Sequence, residues 1–136
     1  MAAGPRLREF QLIERVRRRF GQAAPSVVLG IGDDTAIMKP PPGRHLLLTT
    51  DLLVENIHFD LRTASLEDVG YKAAVANLSD IAAMGGVPHA LAVSIAVPPY
   101  ASVTDIDRLY RGLMAACRPY QVSLVGGDTS ASRNGL

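Results

Sequence analysis

Apolar residues at Leu7, Phe10, Ile13, Val16 and Phe20 recur every three or four positions until Gly21, the spacing of one helix face. The pattern predicts an amphipathic helix. Its opposite face carries Arg15, Arg17, Arg18 and Arg19, read as a solvated surface in preference to a site for an acidic partner. Ser26 to Ile31 and Ala36 to Met38 are short apolar runs on either side of Gly32-Asp33-Asp34-Thr35, which predicts two strands around a tight turn. After Pro40-Pro41-Pro42-Gly43, the stretch from His45 to Glu55 reads as a buried strand interrupted by Thr49, Thr50 and Asp51.

Ser65 and Asp68 form a capping-box pattern that opens a helix from about Leu66 to Met84, roughly 30 Å long at 1.5 Å per residue. Gly85, Gly86 and Pro88 end it. Ala90 to Val97 alternates large and small apolar residues, predicting a strand with one tightly packed small-residue face. Thr104 is the expected cap of a further helix, whose stripe Ile106, Leu109, Leu113 and Cys117 places the cysteine in the core as a small hydrophobe. Ser123 to Val125 should be a strand running into Gly126-Gly127-Asp128. The fold class is therefore α+β, an α/β sandwich: a mixed sheet of about four strands, two long helices on one face, and the N-terminal helix. Asn134-Gly135 is a hairpin signal without a returning strand, so the 136 residues are expected to be the front part of a longer polypeptide.

Length fits one domain over 1–136, and 48% hydrophobic residues supply a core. Fourteen Lys+Arg against thirteen Asp+Glu leave +1, so no global field selects nucleic acid or an anionic membrane as partner. The single cysteine excludes an intrachain disulfide and fits a reducing compartment, the cytoplasm by default. Neither a spanning apolar run nor a signal peptide is visible.

Candidate chemistry lies in the aspartates. Asp33, Asp34, Asp51 and Asp128 end or interrupt apolar runs, and Asp80 sits on the long predicted helix. Any one of them alone reads as a turn residue accepting backbone hydrogen bonds. Gathered at one sheet rim, they would repel one another unless a cation were bound. Hard oxygen donors without a His or Cys cluster favour Mg²⁺ or Mn²⁺ over zinc, and magnesium is commonly held by carboxylates together with substrate phosphates. Neighbouring glycines leave the backbone open to a polyphosphate. Neither GxxxxGK[ST] nor GxGxxG occurs, so nucleotide binding would work through metal bridges.

Four segments carry a more specific message: Gly30-Ile31-Gly32-Asp33-Asp34-Thr35-Ala36, Thr49-Thr50-Asp51-Leu52-Leu53-Val54-Glu55-Asn56-Ile57-His58-Phe59, Asn77-Leu78-Ser79-Asp80-Ile81-Ala82-Ala83-Met84-Gly85 and Gly126-Gly127-Asp128-Thr129. In order and spacing the chain, from Glu9-Phe10 onward, resembles the thiamine-monophosphate kinase family of the aminoimidazole ribonucleotide synthetase-like superfamily. The resemblance implies that superfamily's N-terminal domain fold, with a separate C-terminal domain lying beyond this chain. It also implies ATP-dependent phosphorylation of thiamine monophosphate to thiamine diphosphate with several Mg²⁺ ions. A homodimer joined through sheet edges of the N-terminal domain is implied as well.

The same resemblance assigns Asp34, Asp51, Asp80 and Asp128 to the metal ions, with Thr49 or Thr50 as a further oxygen ligand. It places Gly127 and Asp128 against ATP and His58 against the substrate. Asp33 is expected to shape the turn while Asp34 faces the metal. Without the family match His58 would read as a histidine satisfied by backbone. Asn77 either orients a ligand carboxylate or satisfies backbone; His45 and His89 read as structural. Two alternatives stand beside this reading: another ATP-dependent enzyme of the superfamily, of the aminoimidazole ribonucleotide synthetase, selenophosphate synthetase or hydrogenase-maturation type, or a non-catalytic dimerisation module.

Overall fold

A computed structural model describes residues 9–21 and 24–136; Leu7, the first member of the predicted apolar stripe, lies outside them. The elements in chain order are α1 (Glu9–Phe20), β1 (Val27–Leu29), β2 (Ile37–Met38), α2 (Leu66–Ala83), β3 (Ala90–Val97), α3 (Val103–Cys117), a 3₁₀ turn at Arg118–Tyr120, and β4 (Ser123–Ala131). The mixed α/β class holds. The strands, however, form two sheets of two: β1 pairs antiparallel with β2, and β3 pairs parallel with β4.

The β3–α3–β4 unit follows from its sequence. A parallel pair needs a crossover long enough for a helix, and α3 supplies it. Its cap is Ser102 rather than Thr104: the Ser102 hydroxyl accepts the Asp105 N–H while the Asp105 carboxylate accepts the Ser102 N–H. Ser65 and Asp68 form the predicted box at α2. Ile106, Leu109, Leu113 and Cys117 are buried as expected and share one core with Leu12, Val16 and Phe20 of α1, Val69 and Ala74 of α2, Ile95 of β3 and Leu124 of β4. Burial pushes the Cys117 thiol up to about 11, which keeps it protonated. The same cause pushes the Tyr110 phenol up to about 12, and its ring stacks on Phe20 with centroids 5.6 Å apart.

Helices α2 and α3 meet through glycine. A methyl group on Gly70 would lie 1.9 Å from the Leu109 carbonyl oxygen, and one on Gly112 would lie 1.9 Å from that of Glu67. Backbone therefore packs directly on backbone at both crossings.

The arginine face of α1 differs from expectation. Asp107 on α3, only 6% exposed, accepts from Arg15 Nε at 2.8 Å and Arg15 Nη2 at 2.5 Å, and also pairs with Arg19. Arg17 pairs with Glu14. Two of the four arginines thus dock the helix, because a buried carboxylate needs partners that the apolar stripe cannot supply. The Arg15 guanidinium holds the Asp107 carboxyl below its usual 3.8, helped by Arg19 and Arg111 and opposed by burial. A depressed value stabilises the fold fully above the unfolded value, and that contribution is lost as pH falls through the folded one. Both arginine side chains are more than two fifths exposed, so solvent weakens the pairs. Asp107→Asn should cost about 1–2 kcal/mol at neutral pH. In urea melts the gap to the unsubstituted protein should narrow as pH drops below the ordinary aspartate value; a pH-independent gap would assign Asp107 to packing alone.

Residues 45–55 form no strand. Leu46, Leu48 and Leu52 are exposed, and among the described residues the segment joins no ladder, its one pairing being the isolated bridge of Glu55 with Phe59. The small-residue face of β3 likewise does not pack tightly: Ala92, Ser94 and Ala96 are all exposed. Strand β4 does not end at Val125 but continues to Ala131, with a register shift in which Leu91 faces Leu124 and Ala92 faces Gly126. The Asn134-Gly135 signal makes no hairpin. Instead the Gly135 N–H donates to the Ser132 hydroxyl, and Leu136 pairs with Glu55. No helix among the described residues is long and apolar enough to cross a membrane.

Candidate functional site

Four parts of the chain carry the residues singled out by sequence. Asp33 and Asp34 lie in the bend after Gly32, where the Asp33 carboxylate accepts the Asp34 N–H at 2.9 Å. Asp33 therefore shapes the turn, and the exposed Asp34 side chain makes no ion pair among the described residues. Asp80 lies in the last turn of α2. Its Oδ2 accepts from the Thr49 hydroxyl at 2.8 Å, the one contact that joins two of the predicted ligands across 31 positions. Thr50 and Asp51 follow on the same unpaired segment and are exposed.

Asp128 stands on β4 opposite Ser94 of β3, exposed like its neighbour Gly127. At Gly127, φ is +150° and an added methyl group would lie 1.8 Å from the Val93 carbonyl oxygen. The glycine is thus demanded by the neighbouring strand, whereas Gly126 has open space on its Cβ side.

The loop 54–59 is folded on itself. Val54 O accepts the N–H groups of Ile57 and His58, the Asn56 N–H donates to Phe59 O at 2.7 Å, and Asn56 takes the left-handed conformation. His58 Nδ1 accepts the Val54 N–H at 3.0 Å, and Lys72 Nζ reaches from α2 to the His58 carbonyl at 2.5 Å. The imidazole is therefore held by backbone at Nδ1, which leaves its Nε2–H as an outward donor. Asn77 donates to the Ala73 carbonyl at 3.0 Å, the backbone-satisfying role.

Among the described residues, no three His, Cys, Asp or Glu side chains come together as a metal-binding group. Like charges repel, and the two acidic segments at 33–34 and 49–51 sit outside any ladder that would fix them. What the chain provides toward a cation is a set of hard, accessible oxygen donors. Asp34, Asp51, Asp80 and Asp128 all lack a protein counter-charge among the described residues, and this donor chemistry fits Mg²⁺. Sequence reasoning missed Asp107 and Glu55. Only the acidic residue type was visible for each, and their partners lie 45 or more positions away.

Comparison with known proteins agrees with these motifs. The chain is 41% identical over 128 residues to thiamine-monophosphate kinase of Bacillus subtilis, covering 94% of this chain and 39% of that protein. It is likewise 41% identical over 124 residues to the Haemophilus influenzae enzyme of the same name, covering 90% and 37%. Among solved structures, that of thiamine-monophosphate kinase from Stenotrophomonas maltophilia K279a superposes with a TM-score of 0.75 at 35% identity, over 93% of this chain and 39% of that one. A structure described as AaThiL complexed with AMPPCP and TMP gives 0.58 at 42% identity, over 62% and 27%. The chain thus spans about two fifths of the length of the curated relatives it matches. The model of the family "AIR synthase related protein, N-terminal domain" matches residues 32–136, and the chain belongs to that family.

Proposed function

We propose that residues 1–136 act as the ATP- and Mg²⁺-binding N-terminal domain of a thiamine-monophosphate kinase, with a further domain corresponding to the remaining length of the relatives. The reaction is transfer of the γ-phosphoryl group of ATP to thiamine monophosphate, giving thiamine diphosphate and ADP. The observation that carries this reading is the co-occurrence of Thr49–Asp80 contact, accessible Asp34, Asp51 and Asp128, and a pinned His58 in a chain so similar to enzymes of that name. The AMPPCP and TMP named for one of the similar structures match the two substrates, AMPPCP being an ATP analogue. The preference for this acceptor over those of other superfamily enzymes rests on the same relatives.

The acceptor phosphate already carries about −1.5 to −2 charge near neutral pH, so no general base is needed. The obstacle is the approach of one anion to another. Asp34, Asp51, Asp80 and Asp128 would hold Mg²⁺, with Thr49 and Thr50 as oxygen donors. When bound, Mg²⁺ supplies charge neutralisation and alignment of the two phosphates. Gly127 and Asp128 present backbone and carboxylate to ATP. His58, with Nδ1 already occupied, offers Nε2–H to an anionic oxygen of the acceptor.

The protein works as a homodimer in this reading, which the exposed leucines of segment 45–55 and the open face of β3 support, and its place is the cytoplasm. The test is an assay of the full-length protein with ATP and thiamine monophosphate, with and without chelator. Thiamine diphosphate should form only with divalent cation. Turnover that persists in excess chelator, or the absence of product with cation present, defeats the proposal.

A further inference from the structure

Glu55 joins three stretches that are far apart in sequence. Its Oε2 accepts from the Tyr100 hydroxyl at 2.8 Å and from the Leu136 N–H at 3.0 Å. Its own N–H donates to the Leu136 carbonyl at 3.0 Å. Tyr100 follows β3, Leu136 follows β4, and Glu55 stands in the loop that ends with His58 and Phe59. Hydrogen bonds to an ionised acceptor are about twice as strong as neutral ones, so one carboxylate oxygen suffices to hold both partners. Within the loop, the Val54 N–H fixes the His58 ring and Lys72 fixes its carbonyl. Among the described residues, Glu55 is the one whose hydrogen bonds tie the loop to the segments following both strands of the parallel sheet.

We propose that Glu55 is a positioning residue: by anchoring the 54–59 loop to Tyr100 and Leu136, it sets where the His58 imidazole stands relative to β4 and Asp128. It thereby sets affinity for the phosphate acceptor without touching it. The inference rests on the assignment of His58 to the acceptor. Gly127 and Asp128 are held independently by the β3–β4 ladder, so the effect should fall on one substrate and spare the other.

Two measurements on the full-length protein test this. In steady-state kinetics Glu55→Ala, which removes the accepting oxygen altogether, should raise KM for thiamine monophosphate about tenfold while KM for ATP stays within about twofold. In hydrogen exchange the amides of residues 54–59 should lose protection while those of β3 and β4 keep theirs. Tyr100→Phe should shift the same KM in the same direction, and the double variant should add little, because both changes break one contact. An unchanged KM for the acceptor, an equal rise for ATP, independent addition of the two variants or unaltered exchange at 54–59 would each overturn the proposal. If the unsubstituted protein makes no thiamine diphosphate, the functional reading fails, and the exchange measurement still decides whether Glu55 holds the loop.

Discussion

Gly112→Ala should destabilise the protein by about 3 kcal/mol, near the upper end of the usual overpacking penalty. The added methyl group would meet the Glu67 carbonyl oxygen at 1.9 Å, and this obstacle is helix backbone, which cannot turn aside as a long side chain would. Relief requires α2 and α3 to separate, and separation opens the core around Val69, Leu109 and Leu113, all less than 10% exposed. Helix propensity works the other way, since alanine is favoured over glycine by about 1 kcal/mol in a helix interior. A net loss therefore identifies the contact as the cause. Thermal melts should show a fall of roughly ten degrees, and Gly70→Ala should behave alike because its methyl group would strike the Leu109 carbonyl oxygen at the same distance. Equal or raised stability in both variants would mean that the helices are not in backbone contact.

Asp80→Asn should abolish most phosphoryl transfer while leaving the fold intact. Asparagine keeps a carbonyl oxygen to accept from the Thr49 hydroxyl, so the 2.8 Å contact survives and the melting temperature should stay close to that of the unsubstituted protein. What is lost is the charge that the proposed function sets against Mg²⁺. A loss on the order of a hundredfold to a thousandfold in kcat is expected from removing one such electrostatic group, with the Mg²⁺ dependence displaced to higher concentration. The Thr49→Val counterpart removes the hydroxyl and should lower activity less. Full activity of Asp80→Asn at unchanged Mg²⁺ demand would remove Asp80 from the metal-holding set.

Local signals were legible in the sequence and long-range ones were not. The Ser65/Asp68 box, the helical stripe ending at Cys117 and the alternation from Ala90 to Val97 each act within a few residues, and each appears where the spacing put it. The cap of α3 shows the limit. Ser102 with Asp105 and Thr104 with Asp107 have the same box spacing, and what separates them is that Asp107 is taken by Arg15 and Arg19. That pairing spans about ninety positions and leaves no periodic trace. Segment 45–55 failed for a related reason: apolar composition signals a buried strand, but a strand exists only where its backbone pairs with a neighbour, and that long-range pairing leaves no mark on composition. For the candidate site, the residue types and their order were readable, as was the turn-shaping role of Asp33, whereas the choice between the two roles of Asn77 was settled only by its bond to the Ala73 carbonyl. The contact between Thr49 and Asp80 was not readable, because it depends on how an unpaired segment lies against the end of α2.

The register shift in β4 has a consequence for how this chain tolerates change in length. In a regular ladder Leu124 opposite Leu91 would put Asp128 opposite Ile95, a core residue 9% exposed. The one extra residue at Val125 turns the rest of the strand by half a period, so that Asp128 falls beside Ser94 on the open side instead. The carboxylate faces outward because of parity, and a deletion of one residue between Leu124 and Asp128 would swing a charge into the hydrophobic interior even though every residue type there remained acceptable.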